Sequence, residues 1–201
     1  SSVAGGCGNC IGTAGTFAYI GGGCANCVND TGVTVGGGCN NVATTGDHAT
    51  VAGGCGNKAV ANDATVAGGK GNCACGTCSF VGGGVINQTN SPTSVVVGGN
   101  QNIENGTCGN FIGGGLQNNV CGTSTISTIA GGQTNKICNS NHSAIVGGVT
   151  NTLSGGCGFI GGGRNNTIEN SHTDSAIVTS NLTSVSSCML HAFSLFLSSI
   201  P

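Results

Sequence analysis

The residues with the most chemical potential are the cysteines. Of 201 residues 14 are Cys, and the chain begins with two Cys-x2-Cys pairs, Cys7 with Cys10 and Cys24 with Cys27. Four thiolates at such spacing could hold a tetrahedral zinc ion. The same thiols, if their Cα atoms came within about 4.4–6.8 Å, could be joined as disulfides, and left reduced they would fill space as small apolar groups. Other reactive side chains are sparse. His48, His142, His172 and His191 fall in separate segments, and no Ser, His and acid set recurs that would bring a nucleophile to a base. Glu104 and Glu169 are the only glutamates. The Gly-Gly-Gly strings lack the Lys-Ser/Thr and the following helix of a phosphate-binding loop. The expectation is a protein that is not an enzyme, with no catalytic or cofactor-binding residue and no cofactor.

What positions the cysteines is a repeat. An aliphatic residue stands at Val3, Ile20, Val35, Val51, Val66, Val81, Val96, Ile112, Ile129, Ile145 and Ile160, at steps of 15 to 17 residues, and degenerately at Ile177. Counting that residue as position one, position three is always Gly within a Gly doublet. Position seven is always Asn: Asn9, Asn26, Asn41, Asn57, Asn72, Asn87, Asn102, Asn118, Asn135, Asn151 and Asn166. Position nine is usually aliphatic, with Thr89 and Glu104 as exceptions.

Composition agrees with this periodicity. There are 41 Gly, no Trp, one Met, two Pro and 5% charged residues, so the bulky side chains of an ordinary globular core are missing. The many Val, Ile and Thr favour strands over disorder. A net charge of −2, without a basic stripe or aromatic cluster, gives no support to nucleic-acid binding. No apolar run reaches the roughly 18 residues of a membrane span. The chain opens inside a repeat, which reads as a fragment or a processed chain.

A period this short is too small for a helix pair and fits one coil of a β-solenoid, with two short strands and two turns. The expected fold is all-β, a parallel β-roll of about 12 coils, eleven of them over 1–176, with a degenerate last coil and a cap or neck over 177–201. Strand alternation puts the position-one residues inside, together with the small residue two before each. It turns outward the residue between them, including Phe80, Phe111 and Phe159. The Asn residues either stack into an axial ladder or hold a tight turn by bonding their own backbone. A core this thin leaves the outward Phe residues as an oligomer face.

Phasing the cysteines alters their meaning. Cys7, Cys24, Cys39 and Cys55 share position five; Cys10, Cys27 and Cys73 share position eight; Cys75, Cys121 and Cys138 share position ten. Stacked coils place equivalent residues about 4.8 Å apart. Candidate axial disulfides are therefore Cys7–Cys24, Cys39–Cys55, Cys10–Cys27 and Cys121–Cys138, with reduced thiols and then metal as the alternatives. No residue is assigned to metal.

The strings "SFVGGGVIN", "STIAGGQTN", "SAIVGGVTN" and "FIGGGRNNTI" resemble the Gly-Gly-Gly, Asn-rich repeats of phage and giant-virus fibre proteins. They are also similar to the YadA-like head repeats of trimeric autotransporter adhesins, over about residues 1–180. The segment "AIVTSNLTSVSSCMLHAFSLFL" resembles the exit from such repeats into a trimeric neck or a self-cleaving chaperone. The resemblance implies a homotrimer of left-handed β-rolls, serving as a structural or adhesive fibre shaft or head on a virion surface or in another extracellular setting. It further implies partners among other virion or fibre proteins and a host-surface glycan or receptor. Two alternatives stand beside it. One is a self-assembling surface filament. The other is an ice- or glycan-binding solenoid, suggested by the outward Thr34, Thr50 and Thr65 but interrupted by Phe80 and Val95. Asn-x-Ser/Thr at Asn29, Asn87, Asn105, Asn141, Asn165 and Asn181 would accept glycans in a glycosylating host.

Overall fold

A computed structural model describes residues 1–178, 180–184 and 186–191. The described chain is an all-β parallel solenoid. Each coil gives one two-residue strand around position one and a second strand of two or three residues around position eight. The first strands line up as a 13-stranded sheet and the second strands as an 11-stranded sheet. Every pairing is parallel and in register, as in Val51 opposite Val66 and Ala59 opposite Ala74. Between the sheets a third line of single bridges joins position five of successive coils, from Cys7 through Cys24, Cys39, Cys55 and Lys70 to Arg164. Eleven coils have both strands. The twelfth contributes Ala176–Ile177 and a single bridge from Thr183 to Thr167, so the expected twelve coils are eleven and a part. Leu190–His191 pairs with Ala176–Ile177. Val185 and the apolar segment 192–199 lie outside the described residues.

The doublet glycine that the backbone requires is the second of the pair. At position four φ lies near +90°, for example 81° at Gly84 and 93° at Gly132. A Cβ at Gly54 would land on the carbonyl oxygen of Gly69 in the next coil, and ten coils repeat this collision. Only glycine can both turn there and let the coils stack so closely. The first glycine of the doublet is less constrained: a Cβ on Gly53, Gly68, Gly131 or Gly147 meets nothing within 4 Å and none of these four has a positive φ, whereas Gly22, Gly114 and Gly162, at 141° to 151°, keep one. Its carbonyl is what matters.

That carbonyl is held by the Asn. In the third coil Asn41 donates from Nδ2 to Gly37 O of its own coil and to Gly54 O of the next, both at 2.9 Å. Its Oδ1 accepts from Asn57 N at 3.0 Å. The residue before each Asn takes a left-handed conformation, from 53° at Ala25 to 68° at Gly8, which aims the amide inward. The two roles open in the sequence are therefore one: each Asn clasps its own turn and links to the next. From Asn26 to Asn166 all are fully buried, and these side chains satisfy backbone groups that a corner would otherwise leave unpaired.

Position-one residues from Ile20 to Ile177 are fully buried, as are the small residues two before them. Val3 is the exception. It belongs to the first coil, which is covered on one side only, and is 42% exposed. The interior divides into two clusters, one mainly of Ala and Val spanning Ala18 to Val81 and one dominated by Ile spanning Val96 to Ile177. Thr89 and Glu104 occupy position nine at the division. Glu104 is fully buried, yet its carboxylate accepts from Ser91 Oγ, from Gly106 N at 2.9 Å and from Asn110 Nδ2 at 3.0 Å. Hydrogen bonds of this kind are what let a buried carboxylate persist without a cation.

Candidate interaction face and thiol ladder

Two surface features gather the residues singled out by sequence. The first is the outer face of the first sheet. Its outward positions run Tyr19, Thr34, Thr50, Thr65, Phe80, Val95, Phe111, Thr128, Ala144, Phe159 and Ala176, without one charge. The lysines that lie on strands, Lys58 and Lys136, stand on the second sheet, while Lys70 and Arg164 are on the line of single bridges.

Phe80, Phe111 and Phe159 are 37–39% exposed and each lies down over a glycine two residues on. The ring edge of Phe80 comes 3.2 Å from where a Gly82 Cβ would be, that of Phe111 3.3 Å from Gly113 and that of Phe159 3.4 Å from Gly161. Tyr19 does the same over Gly21 at 3.4 Å. Where the outward residue is Val95 or Ala144, the residue two on is Val97 or Val146 instead. Each ring thus leans over the space that a side chain two residues on would fill. This aromatic-x-Gly coupling was present in the sequence and unread; it would have added Tyr19 to the three Phe. Thr34, Thr50 and Thr65 stack in register on the same face and end against Phe80.

The second feature is the cysteine ladder. Cys7, Cys24, Cys39 and Cys55 are register partners along the line of single bridges, and Cys10 lies opposite Cys27 in the second sheet. All six are free thiols, so the expected bonds Cys7–Cys24, Cys39–Cys55 and Cys10–Cys27 are absent. Cys39 lies in register between Cys24 and Cys55; burial first, and then these two neighbouring thiols, push its thiol above the usual range. Burial, followed by Cys10, does the same to Cys27. Cys121 and Cys138 are joined between adjacent coils with Cα atoms 4.5 Å apart. Cys73 and Cys75, two residues apart on one strand end, are also joined, a pair that coil phasing does not suggest. Among the described residues no group of three or more His, Cys, Asp or Glu could hold a metal ion.

The remaining groups stay apart. His48 lies 3.6 Å from Asp63 on the open surface, where an ion pair contributes little. His142 sits in a turn of another coil. An open groove of about 360 Å³ runs beside Ile86, Gln101, Gln117 and Ile103, with Gln117 donating to Gln101 Oε1 at 3.1 Å. Of the Asn-x-Ser/Thr sites, Asn87 is buried within the amide ladder and the other five are exposed or at turns.

No protein-family model matches this chain, and no curated protein matches its sequence.

Proposed function

We propose that the chain is a rigid structural segment of an extracellular or virion-surface fibre, in which three copies pack through the outer face of the first sheet. The observation that carries this reading is that face: uncharged and set with the half-exposed rings of Tyr19, Phe80, Phe111 and Phe159 along its length. A monomer would leave it to water, whereas packing against its own kind removes aromatic surface without stranding any charge. Three is the number, and left-handed the coil sense, that the likeness to YadA-like and viral-fibre repeats implies. Backbone ladders along the whole length make a stiff rod, suited to holding other fibre or adhesive parts away from a surface.

Sedimentation of the chain at micromolar concentration tests the reading. The expected species is a closed trimer, and replacing Phe80, Phe111 and Phe159 together with Ser dissociates it while strand content is kept. A folded monomer would overturn the proposal. An open-ended series of sizes would favour end-to-end stacking into a filament.

A further inference from the structure

We propose that Cys7, Cys24, Cys39 and Cys55 form a redox ladder, in which oxidation by a small disulfide locks the first four coils together in pairs. The argument begins with register. Parallel strands place each cysteine directly opposite its counterpart one coil away, and the solenoid holds them there whether or not they are bonded. Cys121 and Cys138 bear the same relation to one another, one coil apart and in register, and they are bonded with a Cα separation of 4.5 Å. Cys39 stands between two such partners, Cys24 on one side and Cys55 on the other. None of the four is fully buried, so a soluble disulfide can reach them.

The chemistry is two successive exchanges. A Cys39 thiolate attacks a small disulfide RSSR, giving the mixed disulfide Cys39–S–S–R and releasing RS⁻, which takes up the proton that Cys39 lost. The Cys55 thiolate then attacks the Cys39 sulfur, forming Cys39–Cys55 and expelling a second RS⁻, protonated in turn. Two cysteines are oxidised and one RSSR is reduced to two RSH.

Four thiols in a row have a parity. Pairing Cys24 with Cys39 strands Cys7 and Cys55 at opposite ends, several coils apart, where they cannot meet. From that state Cys55 can attack Cys39 and free Cys24, or Cys7 can attack Cys24 and free Cys39; a second RSSR then oxidises the freed thiol with its remaining neighbour, itself reduced to two RSH, so that both end pairs are made. The oxidised end state is therefore Cys7–Cys24 with Cys39–Cys55, and Cys10–Cys27 across the second sheet joins the same two coils as Cys7–Cys24. The joint between the second and third coils keeps no covalent link.

The location suits such a device. The ladder flanks the cluster of Ala and Val, in which side chains bury least, and it lies on a different face from the aromatic rows. Axial bonds would supply there what packing does not.

The test takes the full chain, fully reduced in its native state and equilibrated with mixtures of oxidised and reduced glutathione, and maps its disulfides by mass spectrometry without reduction. The expected end state contains Cys7–Cys24 and Cys39–Cys55, with a higher melting temperature than the reduced protein. Cys55→Ser should leave Cys39 with Cys24 as its only neighbour, so that Cys7–Cys24 and Cys24–Cys39 are both recovered. Cys24→Ser should leave Cys39–Cys55 alone. Glutathione adducts on all four cysteines without protein disulfides, bonds between molecules, or a Cys7–Cys55 bond would each overturn the ladder.

Discussion

The first and second halves of the solenoid share one backbone plan and are filled differently. At position nine the third to fifth coils hold Ala43, Ala59 and Ala74, whereas the eighth to eleventh hold Val120, Ile137, Leu153 and Ile168. Two or three extra carbons per coil are worth roughly 2 kcal/mol at ~0.8 kcal/mol per buried methylene. The residue two before position one differs as well. It is Ala18, Val33, Ala49 and Ala64 in the first half, and then Ser94, Asn110, Ser127 and Ser143. These polar side chains build a second internal ladder: Asn110 N donates to Ser94 Oγ at 3.1 Å, Ser127 N to Asn110 Oδ1 at 2.9 Å and Gly158 N to Ser143 Oγ at 3.0 Å. The difference teaches that the Asn ladder and the position-four glycines set the coil, while the filling is free to vary. A thin apolar filling has thiols stacked outside it; a fuller one carries hydroxyl ladders within.

The hardest way to break the comparison is to attack what the halves share. Gly54→Ala and Gly148→Ala each force a Cβ onto the next coil's carbonyl at a left-handed residue, and each is expected to cost more than about 4 kcal/mol. Their neighbours Gly53→Ala and Gly147→Ala, with open space and no left-handed φ, should stay within about 0.5 kcal/mol of the parent. Thermal melts of the four variants decide the matter, and equal losses at positions three and four would refute the assignment of roles within the doublet.

A smaller effect separates the fillings. Native-state hydrogen exchange should protect strand amides of the second half more than those of the first, because opening a coil there exposes more apolar area. Leu153→Ala, at a cost of about 2–5 kcal/mol, should bring the neighbouring coils down towards the level of the first half. Uniform protection along the unmutated rod would show that packing does not distinguish the halves.

The smallest effect is on reactivity. The Cys39 thiol is raised above the usual thiol range, chiefly by burial, so at a given pH less of it is thiolate and alkylation by iodoacetamide is slower than at an unperturbed thiol. Its rate should therefore climb at higher pH than that of a model thiol. Cys24→Ser with Cys55→Ser should move the profile only part of the way back, since burial is the larger cause. A profile matching the model thiol in the unmutated chain would contradict the ladder's contacts.

Much of this architecture was legible in one dimension. A step of 15 to 17 residues, an Asn in every unit and β-branched residues at position one determine a parallel solenoid with those residues inside, because side chains alternate along a strand and equivalent positions must stack. The cysteine phases followed from the same count. The aromatic-x-Gly pairs were there to be read too, since a leaning ring needs the space that a missing side chain leaves.

Other features were decided only in three dimensions. Both doublet glycines are invariant in the repeat, and only the φ angle and the approach of the next coil tell that the second can change in no coil while the first is unconstrained at positions such as Gly53 and Gly147. Glu104 looked like a break in the pattern; it is buried because Ser91 and Asn110, from other turns, converge on its carboxylate. The Ser94, Asn110, Ser127 and Ser143 ladder was invisible because a small residue inside a strand reads alike whether it fills space or bonds along the axis. Periodicity fixes which residues are neighbours. Whether neighbours bond, collide or merely touch depends on angles and distances of a few tenths of an ångström, and those exist only once the coils are stacked.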